Sequence, residues 1–294
     1  MNKSLFYRIS QFFGFLLGAK VFITALLAFA LYVSAYFLFN QEESFRNFVF
    51  DYKVHGLIFC SLFSILAGGI INQFYDKEKD TLTKPFRSRI QNFLKQKYFL
   101  YAYLFFNSLS LGIAGLLSFR IFLFFLIYQF LMWFYSHKLS KILFLNNLSF
   151  VILTLYPFFG ILVYYRTFSK EIIFLAIFLF LMLLILDILK DTLTKNADKI
   201  FNYSTIPNVF GDRVAINNLI FLIITNILIS MKIISHNGLH NIWSYYFAVG
   251  LFVFIFCIYF LLQNFKNSKF FTLNFLRLWL FIGICAMLLN GIFH

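Results

Sequence analysis

Charged residues are scarce in this chain: they make up 12% of its 294 residues, and only 11 of them are acidic. Because an ordinary soluble domain has about a quarter of its residues charged, this scarcity excludes that class. Cysteines are few as well. Cys60, Cys257 and Cys285 each lie in an apolar run at no metal-binding spacing, so they are expected to be core residues. The alternating strands that a β-barrel needs are absent.

Hydrophobic residues dominate instead, at 62% of the chain, with 47 Phe and 17 Tyr and a mean hydropathy of +0.83. Repeated apolar runs of about 20 residues predict an all-α polytopic membrane protein with about nine transmembrane helices. The short polar joins leave no room for a separate soluble domain, so we expect one domain over residues 1–294. The predicted spans are 12–39, 54–75, 98–118, 120–136, 147–165, 171–190, 214–234, 242–263 and 272–292.

The net charge of +14 has its simplest explanation in membrane topology. In a soluble protein it would indicate nucleic acid, but here the positive-inside rule accounts for it, and no nucleic-acid partner is expected. A cytoplasmic N-terminus places 17 of the 25 Lys and Arg on the cytoplasmic side and six on the other. We therefore predict an integral protein of the inner (cytoplasmic) membrane with its C-terminus outside. Residues 1–10 are polar and basic, so no cleavable signal peptide is expected.

A first cluster of polar residues follows the second predicted helix. Asn72, Asp76 and Asp80 recur every four residues, which places them on one helix face. Five lysines and arginines fall within residues 77–89. An asparagine one turn deep in an apolar helix needs a partner, and carboxylate and amide oxygens suit Mg²⁺. The competing interpretation is an interfacial helix end whose acids face water.

A second cluster lies at the end of the sixth predicted helix. Asp187 and Asp191 are one helical turn apart, and Asp198 follows seven residues later. Asp187 ends a long apolar run, where an unpaired carboxylate is costly. Two acidic rows at one membrane face predict a metal–diphosphate group held by both, with Lys190, Lys195 and Lys199 neutralising phosphate charge. The alternative is two unrelated helix ends.

These clusters resemble the motifs of the UbiA superfamily of intramembrane aromatic prenyltransferases. The Asn72 to Asp80 pattern is similar to the first aspartate motif, and Lys190-Asp191 with Asp198 is similar to the second.

Three further elements of the chain resemble the same family. They are the Lys-Pro-x-Arg run after the first motif, the Tyr-Ser-x-x-Leu element after the fourth helix, and the Thr-x-Pro…Gly signature before the seventh. The matching residues are Lys84, Pro85, Arg87, Tyr135, Ser136, Leu139, Thr205, Pro207 and Gly211. The chain departs from the family pattern at Thr83 and Ser88. It departs also at Ser140, where Lys138 or Lys141 must replace the family's lysine or its role is lost, and at Thr194, where Asp187 compensates for a middle aspartate.

The resemblance implies a nine-helix bundle around a central cavity that opens to lipid. It also implies Mg²⁺-dependent transfer of an isoprenyl group from a polyprenyl diphosphate to an aromatic quinone or pigment precursor in the membrane. A glycerol phosphate ether lipid is the alternative acceptor. The expected partners are the isoprenyl diphosphate, a hydrophobic acceptor and the lipid bilayer.

The expected catalytic carboxylates are Asp76, Asp80, Asp187 and Asp191. The expected metal ligands are these four and Asp198. The expected diphosphate-binding residues are Asn72, Lys77, Lys84, Arg87, Lys190, Tyr135 and Lys138.

Three other functions compete with this interpretation. A phospholipid head-group transferase would show an Asp-x-x-Asp-Gly-x-x-Ala-Arg run, which the sequence lacks. A transporter would carry acids along its path, whereas here they cluster at one face. A non-catalytic binding protein is favoured by the departures at Thr194 and Ser140 and opposed by the retained aspartates.

Overall fold

A computed structural model describes residues 3–40, 44–238, 241–263, 265 and 267–293, and within these ranges it contains helices and no strands. A π-helical turn (Ala35–Phe39) extends the second helix, and a 3₁₀ turn (Leu139–Lys141) follows the eighth. The α helices are α1 (Lys3–Gly18), α2 (Val21–Ser34), α3 (Phe45–Phe50), α4 (Tyr52–Tyr75), α5 (Lys77–Thr83), α6 (Pro85–Gln91), α7 (Gln96–Leu117), α8 (Phe119–His137), α9 (Leu145–Tyr165), α10 (Lys170–Ile200), α11 (Ile206–Val209), α12 (Gly211–Asn237), α13 (Ile242–Leu262) and α14 (Ser268–Phe293).

Nine helices of the described chain are long and apolar enough to cross a membrane. They are α2 with its π-helical turn, α4, α7, α8, α9, α10, α12, α13 and α14. Helices suit this composition because a lipid-exposed backbone must satisfy its hydrogen bonds within the segment. The predicted all-α polytopic membrane protein with nine transmembrane helices is confirmed. Its orientation in the membrane stays a prediction.

The first predicted span, 12–39, is wrong as a single helix. The chain breaks between α1 and α2, where Lys20 adopts a φ of 54°. This left-handed region is uncommon for residues other than glycine. The break packs closely on α4, because a Cβ added at Gly69 would lie 3.1 Å from the carbonyl oxygen of Ala19. Lys20 therefore lies at a helix junction rather than inside a membrane helix.

The sixth predicted span ends too early. Residues 171–190 match the apolar part of α10, but the helix continues for ten residues beyond Lys190. The hydropathy falls at that point, whereas the backbone hydrogen bonding does not. Asp187, Asp191 and Asp198 therefore lie on one continuous helix.

The described residues form two compact units. Unit 1 comprises those within Met1–Tyr32, Glu42–Ser140 and Tyr156–Tyr164, and unit 2 those within Val33–Gln41, Lys141–Leu155 and Tyr165–His294. In unit 1, α4 packs against α7 and α8, and α1 packs against α6. In unit 2, α10 packs against α12 and α14, and α13 packs against α12 and α14 as well. The single domain predicted over residues 1–294, whose two ends lie outside the described ranges, stays a prediction, as does the central cavity.

Polar and aromatic contacts join the apolar helices within the units. In unit 1, hydroxyl groups connect α4 and α7: Ser64 Oγ lies 3.0 Å from Ser110 Oγ, which donates to the Cys60 carbonyl oxygen. Such bonds join membrane helices where lipid gives no hydrophobic driving force. In unit 2, aromatic rings pack in layers, with Tyr246 stacked 4.7 Å from Trp279. Cys60 and Cys257 are buried, as predicted for core residues, whereas Cys285 is only partly buried.

Candidate active site

The first cluster lies in unit 1, where α4 gives way to α5. The backbone N–H of Asp76 donates to the Asn72 carbonyl oxygen at 2.9 Å, and that of Asp80 donates to the Asp76 carbonyl oxygen at 2.8 Å. The helical register therefore continues through the junction. The Asn72 side-chain amide donates to Asp76 Oδ2 at 2.7 Å. The predicted shared face of these three residues is present, and Asn72 holds the first carboxylate in place.

Asp80 is the buried acid of α5. It is 7% exposed, and its Oδ1 accepts from Lys84 Nζ at 2.8 Å. Thr83 Oγ1 lies 3.4 Å from the same oxygen. Glu78, two residues earlier on α5, is exposed. Asp80 is therefore a buried member of the cluster, whereas Glu78 faces solvent.

Arg87 ties α6 to the end of α1. Its guanidinium donates through Nη2 to the carbonyl oxygen of Leu17. Partial burial lowers the pKa of Arg87, while the charge of Asp80 opposes that shift. Arginine stays protonated nonetheless. Arg87 Nε is buried with no hydrogen-bond partner among the described residues, so a donor at this position is left for an anion.

Lys20 is a charged residue of this cluster that the sequence did not predict. Asp76, Asp80, Lys84 and Arg87 all act on it electrostatically. Burial, then the positive charges of Lys84 and Arg87, lowers the pKa of Lys20 to about 8, against the raising effect of Asp76 and Asp80. The only sequence signal was a lysine within an otherwise apolar run.

The second cluster lies in unit 2, on α9 and α10. Asp187 and Asp191 are 2% and 3% exposed. Asn147 Nδ2 lies 2.8 Å from Oδ2 of each aspartate, and Asn146 Nδ2 lies 3.2 Å from Asp191 Oδ2. Lys190 pairs closely with Asp187 and lies 3.7 Å from Asp191 Oδ1. One amide nitrogen therefore brings the two carboxylates together, as the i, i+4 spacing predicted.

Asn146 and Asn147 are site residues that the sequence analysis missed. They lie in the first turn of α9, after a segment without acids, and 40 residues separate Asn147 from Asp187 along the chain. Asn147 Oδ1 is buried with no partner in the described part of the chain. A carbonyl oxygen beside two carboxylates is a donor set for a hard cation. Two adjacent asparagines at the start of an apolar helix were the available signal.

Asn147→Leu is expected to raise the Mg²⁺ concentration needed for half-maximal pyrophosphate binding by about 10- to 100-fold, the usual cost of losing a partner that orients a metal ligand. The leucine keeps the side-chain volume but loses both hydrogen bonds to the aspartates. Binding of labelled pyrophosphate across a Mg²⁺ titration measures this. The matched control is Asn274→Leu, on the exposed side of α14. An unchanged Mg²⁺ requirement in Asn147→Leu would contradict the orienting role.

Asp198 and Lys195 occupy different settings at the end of α10. Asp198 is fully buried, and its Oδ2 accepts from Thr194 Oγ1 at 2.8 Å. Thr194, the departure from the family pattern, thus holds this aspartate. Lys195, expected to neutralise phosphate, instead lies 2.6 Å from Asp212 Oδ1, and Lys269 Nζ lies 2.8 Å from the other oxygen of Asp212.

The remaining predicted residues are less enclosed. Lys138 is exposed at the end of α8, and Tyr135 is half-buried one turn earlier. Lys77 is exposed at the start of α5 and lines a small, mostly apolar cleft with Gln73 and Gln91. Their role in binding diphosphate stays a prediction.

The donors in each unit fit a Mg²⁺ ion that takes its remaining ligands from water and substrate phosphate. Within the ranges that the structure describes, no three His, Cys, Asp or Glu side chains converge to hold a metal alone. Each cluster offers two carboxylates beside an asparagine amide, Asn72 in unit 1 and Asn147 in unit 2. Mg²⁺ commonly takes one or two carboxylates and completes its six oxygens with water and substrate phosphate. The residues present fit that mode.

Comparison with known proteins places these motifs in a family. A model of the UbiA prenyltransferase family matches residues 44–282. Digeranylgeranylglyceryl phosphate synthase from Methanosphaera stadtmanae is 25% identical over 219 residues, which cover 73% of this chain and 79% of the relative.

Two solved structures show the same fold. A structure of digeranylgeranylglyceryl phosphate synthase has a TM-score of 0.72 at 18% identity, covering 96% of this chain and 98% of the other. A UbiA homologue from Archaeoglobus fulgidus bound to GPP and Mg²⁺ has a TM-score of 0.64 at 16% identity, covering 94% and 99%.

The family match extends over most of the chain and includes both aspartate clusters. The predictions of a prenyltransferase and of Mg²⁺ as cofactor are confirmed at the level of the family. The prediction of a role in quinone synthesis is not confirmed. The chain belongs to the UbiA prenyltransferase family and is an integral membrane prenyltransferase.

Proposed function

We propose that this protein transfers an isoprenyl group from a prenyl diphosphate to a hydroxyl group of a glycerol phosphate lipid. The observation that carries the acceptor is the relative from Methanosphaera stadtmanae, whose name describes the synthesis of a glyceryl phosphate with two geranylgeranyl groups. The aromatic acceptor expected from the motifs is the competing candidate. A glycerol phosphate lipid was the alternative acceptor on sequence grounds, and the relative now favours it.

The charges of unit 1 support an anionic donor substrate. Two carboxylates, Asp76 and Asp80, lie among three cations, Lys20, Lys84 and Arg87. Three cations against two carboxylates leave one net positive charge before any metal ion binds, so the cluster favours an anion, and bound Mg²⁺ would add to that positive charge. The buried, unpartnered Nε of Arg87 is a hydrogen-bond donor for a phosphate oxygen.

The aspartates are the proposed metal ligands. In unit 1 these are Asp76 and Asp80, and in unit 2 they are Asp187 and Asp191, with Asp198 as a further candidate. Bound Mg²⁺ neutralises phosphate charge and stabilises the charge that develops on the leaving pyrophosphate. Asn72 and Asn147 hold the carboxylates in position through their amide groups.

The reaction requires one bond to break and one to form. The bond between C1 of the prenyl group and the diphosphate oxygen breaks, and its electron pair leaves with pyrophosphate. The acceptor hydroxyl oxygen bonds to C1 and releases its proton to the departing pyrophosphate. Within unit 1, Lys84 and Arg87 stabilise the departing phosphate charge. This chemistry requires a site without water, because water would otherwise capture the allylic cation.

A transfer assay with competing acceptors tests this proposal. Purified protein, Mg²⁺ and radiolabelled geranylgeranyl diphosphate are incubated with a glycerol phosphate lipid that carries one geranylgeranyl ether, or with hydroxybenzoate or homogentisate. Label is expected in the glycerol phosphate lipid, and chelation of Mg²⁺ should abolish its transfer. Transfer to the aromatic acceptors alone would overturn the proposal that the acceptor is a glycerol phosphate lipid. If no acceptor gains label and no pyrophosphate is released, the transferase assignment fails.

A further inference from the structure

The backbone at Lys20 directs this side chain along the face of α4 that carries the first cluster. A Cβ added at Gly69 would lie 3.4 Å from Lys20 Cδ, so the lysine stem crosses α4 at Gly69. Asn72 and Asp76 follow Gly69 by three and seven residues, which are positions on the same helix face. The lysine stem therefore lies about one turn from Asn72 and two turns from Asp76.

Two contacts with α6 hold the α1–α2 break in this position. Arg87 donates to the carbonyl oxygen of Leu17, three residues before Lys20. Closer to the middle of α1, a Cβ added at Gly14 would lie 2.7 Å from the carbonyl oxygen of Ile90, so the two backbones are in close contact. Because these contacts fix the end of α1, they also fix where the Lys20 side chain begins.

The charges around Lys20 leave it without a dedicated counter-ion. Asp80 pairs with Lys84 at 2.8 Å, and Asp76 accepts from Asn72 at 2.7 Å. No ion pair joins Lys20 to either aspartate in the described part of the chain, although the charges of both attract it. A lysine that only neutralised the aspartates would be paired with one of them. A partly buried, unpaired ammonium group is costly, and an incoming anion would relieve that cost.

We propose that Lys20 binds a phosphate oxygen of the prenyl diphosphate. The proposal rests on the proposed function, because it takes a diphosphate as the occupant of the cluster. Lys20 then acts with Lys84 and Arg87 as a third cation, contributed from the break between α1 and α2. Its ammonium group donates to the phosphate as a charge-assisted hydrogen bond.

Binding of geranyl diphosphate with Mg²⁺ to the full-length protein tests this role. Lys20→Met is expected to weaken binding by about 10- to 100-fold, the value of a hydrogen bond to a charged group. Lys20→Arg keeps a cation that can donate to phosphate and should stay within about threefold of the wild type. Lys53→Met, at the opposite end of α4, is the matched control. Wild-type affinity in Lys20→Met would overturn the proposal.

A second measurement uses the wild-type protein, so that it does not depend on the folding of a variant. Lysines are reductively methylated at pH 8, and modification is read residue by residue by mass spectrometry. Mg²⁺ with inorganic pyrophosphate should protect Lys20 and leave Lys53 unchanged. Equal modification of Lys20 with and without pyrophosphate, or protection by glycerol 1-phosphate alone, would overturn the assignment to the diphosphate. If the wild type binds no geranyl diphosphate at all, the proposed function fails instead.

Discussion

Asp191→Asn is expected to lower the rate of prenyl transfer by more than about 100-fold, which exceeds the usual cost of losing a partner that only orients a metal ligand. Asp191 is 3% exposed, and its Oδ2 lies 2.8 Å from the Asn147 amide nitrogen. An asparagine keeps the shape of the side chain and an oxygen that accepts a hydrogen bond. It removes the negative charge, which the proposed Mg²⁺ requires. The rate of label transfer at several Mg²⁺ concentrations measures the effect.

The same substitution is not expected to unfold unit 2. Removing a buried charge also removes its desolvation cost, so the thermal unfolding temperature should not fall. The matched control is Asp212→Asn, in the same unit. Asp212 is about half exposed and bridges Lys195 and Lys269. Exposed pairs contribute about 0–1 kcal/mol, so this variant should keep most of its activity. Wild-type transfer by Asp191→Asn would remove the second cluster from the mechanism.

The sequence was sufficient for the features that depend on local spacing. Long apolar runs predicted nine membrane helices because a spanning helix needs about 20 apolar residues. The i, i+4 spacing predicted that Asn72, Asp76 and Asp80 share a face, and the backbone bonds through the junction confirm it. The same reasoning placed Asp187 beside Asp191, and one amide nitrogen contacts both.

Features that depend on packing could not be predicted from the sequence. The break at Lys20 lies within an apolar run, and it is stabilised by close contact with Gly69 and by the bond from Arg87 to Leu17. No periodicity in the first 40 residues marks it. The contact between Asn147 and the aspartates is likewise invisible, because it joins residues 40 positions apart.

The predicted end of α10 was wrong for a different reason. Hydropathy predicts where a segment leaves the apolar membrane, whereas helix length follows the backbone hydrogen bonds. In α10 these two limits lie ten residues apart, after Lys190 and after Ile200. The extra turns carry Thr194 and Asp198, so the position where the family's middle aspartate is replaced is part of the same rigid element. That continuity supports an active second motif over a degenerate one.

Asp80→Asn is the corresponding experiment in unit 1, and it too is expected to lower transfer by more than about 100-fold. Asp80 is 7% exposed, and Lys84 Nζ lies 2.8 Å from its Oδ1. The asparagine removes a proposed Mg²⁺ ligand and leaves Lys84 without its anion. The Mg²⁺ concentration required for activity and the KM for the prenyl diphosphate should therefore both rise, in addition to the fall in maximal rate. Steady-state rates across a grid of Mg²⁺ and diphosphate concentrations separate these effects.

Glu78→Gln is the matched control for Asp80→Asn, because it removes a nearby charge outside the proposed site. Both acids lie on α5, two residues apart, and both substitutions remove one negative charge. Glu78 is exposed, so its charge is screened by solvent and its loss should change the rate by less than about twofold. If the local charge alone mattered, the two variants would be equally impaired. A large loss confined to Asp80→Asn requires a site on one helix face, shared with Asn72 and Asp76 and bordered by Lys20.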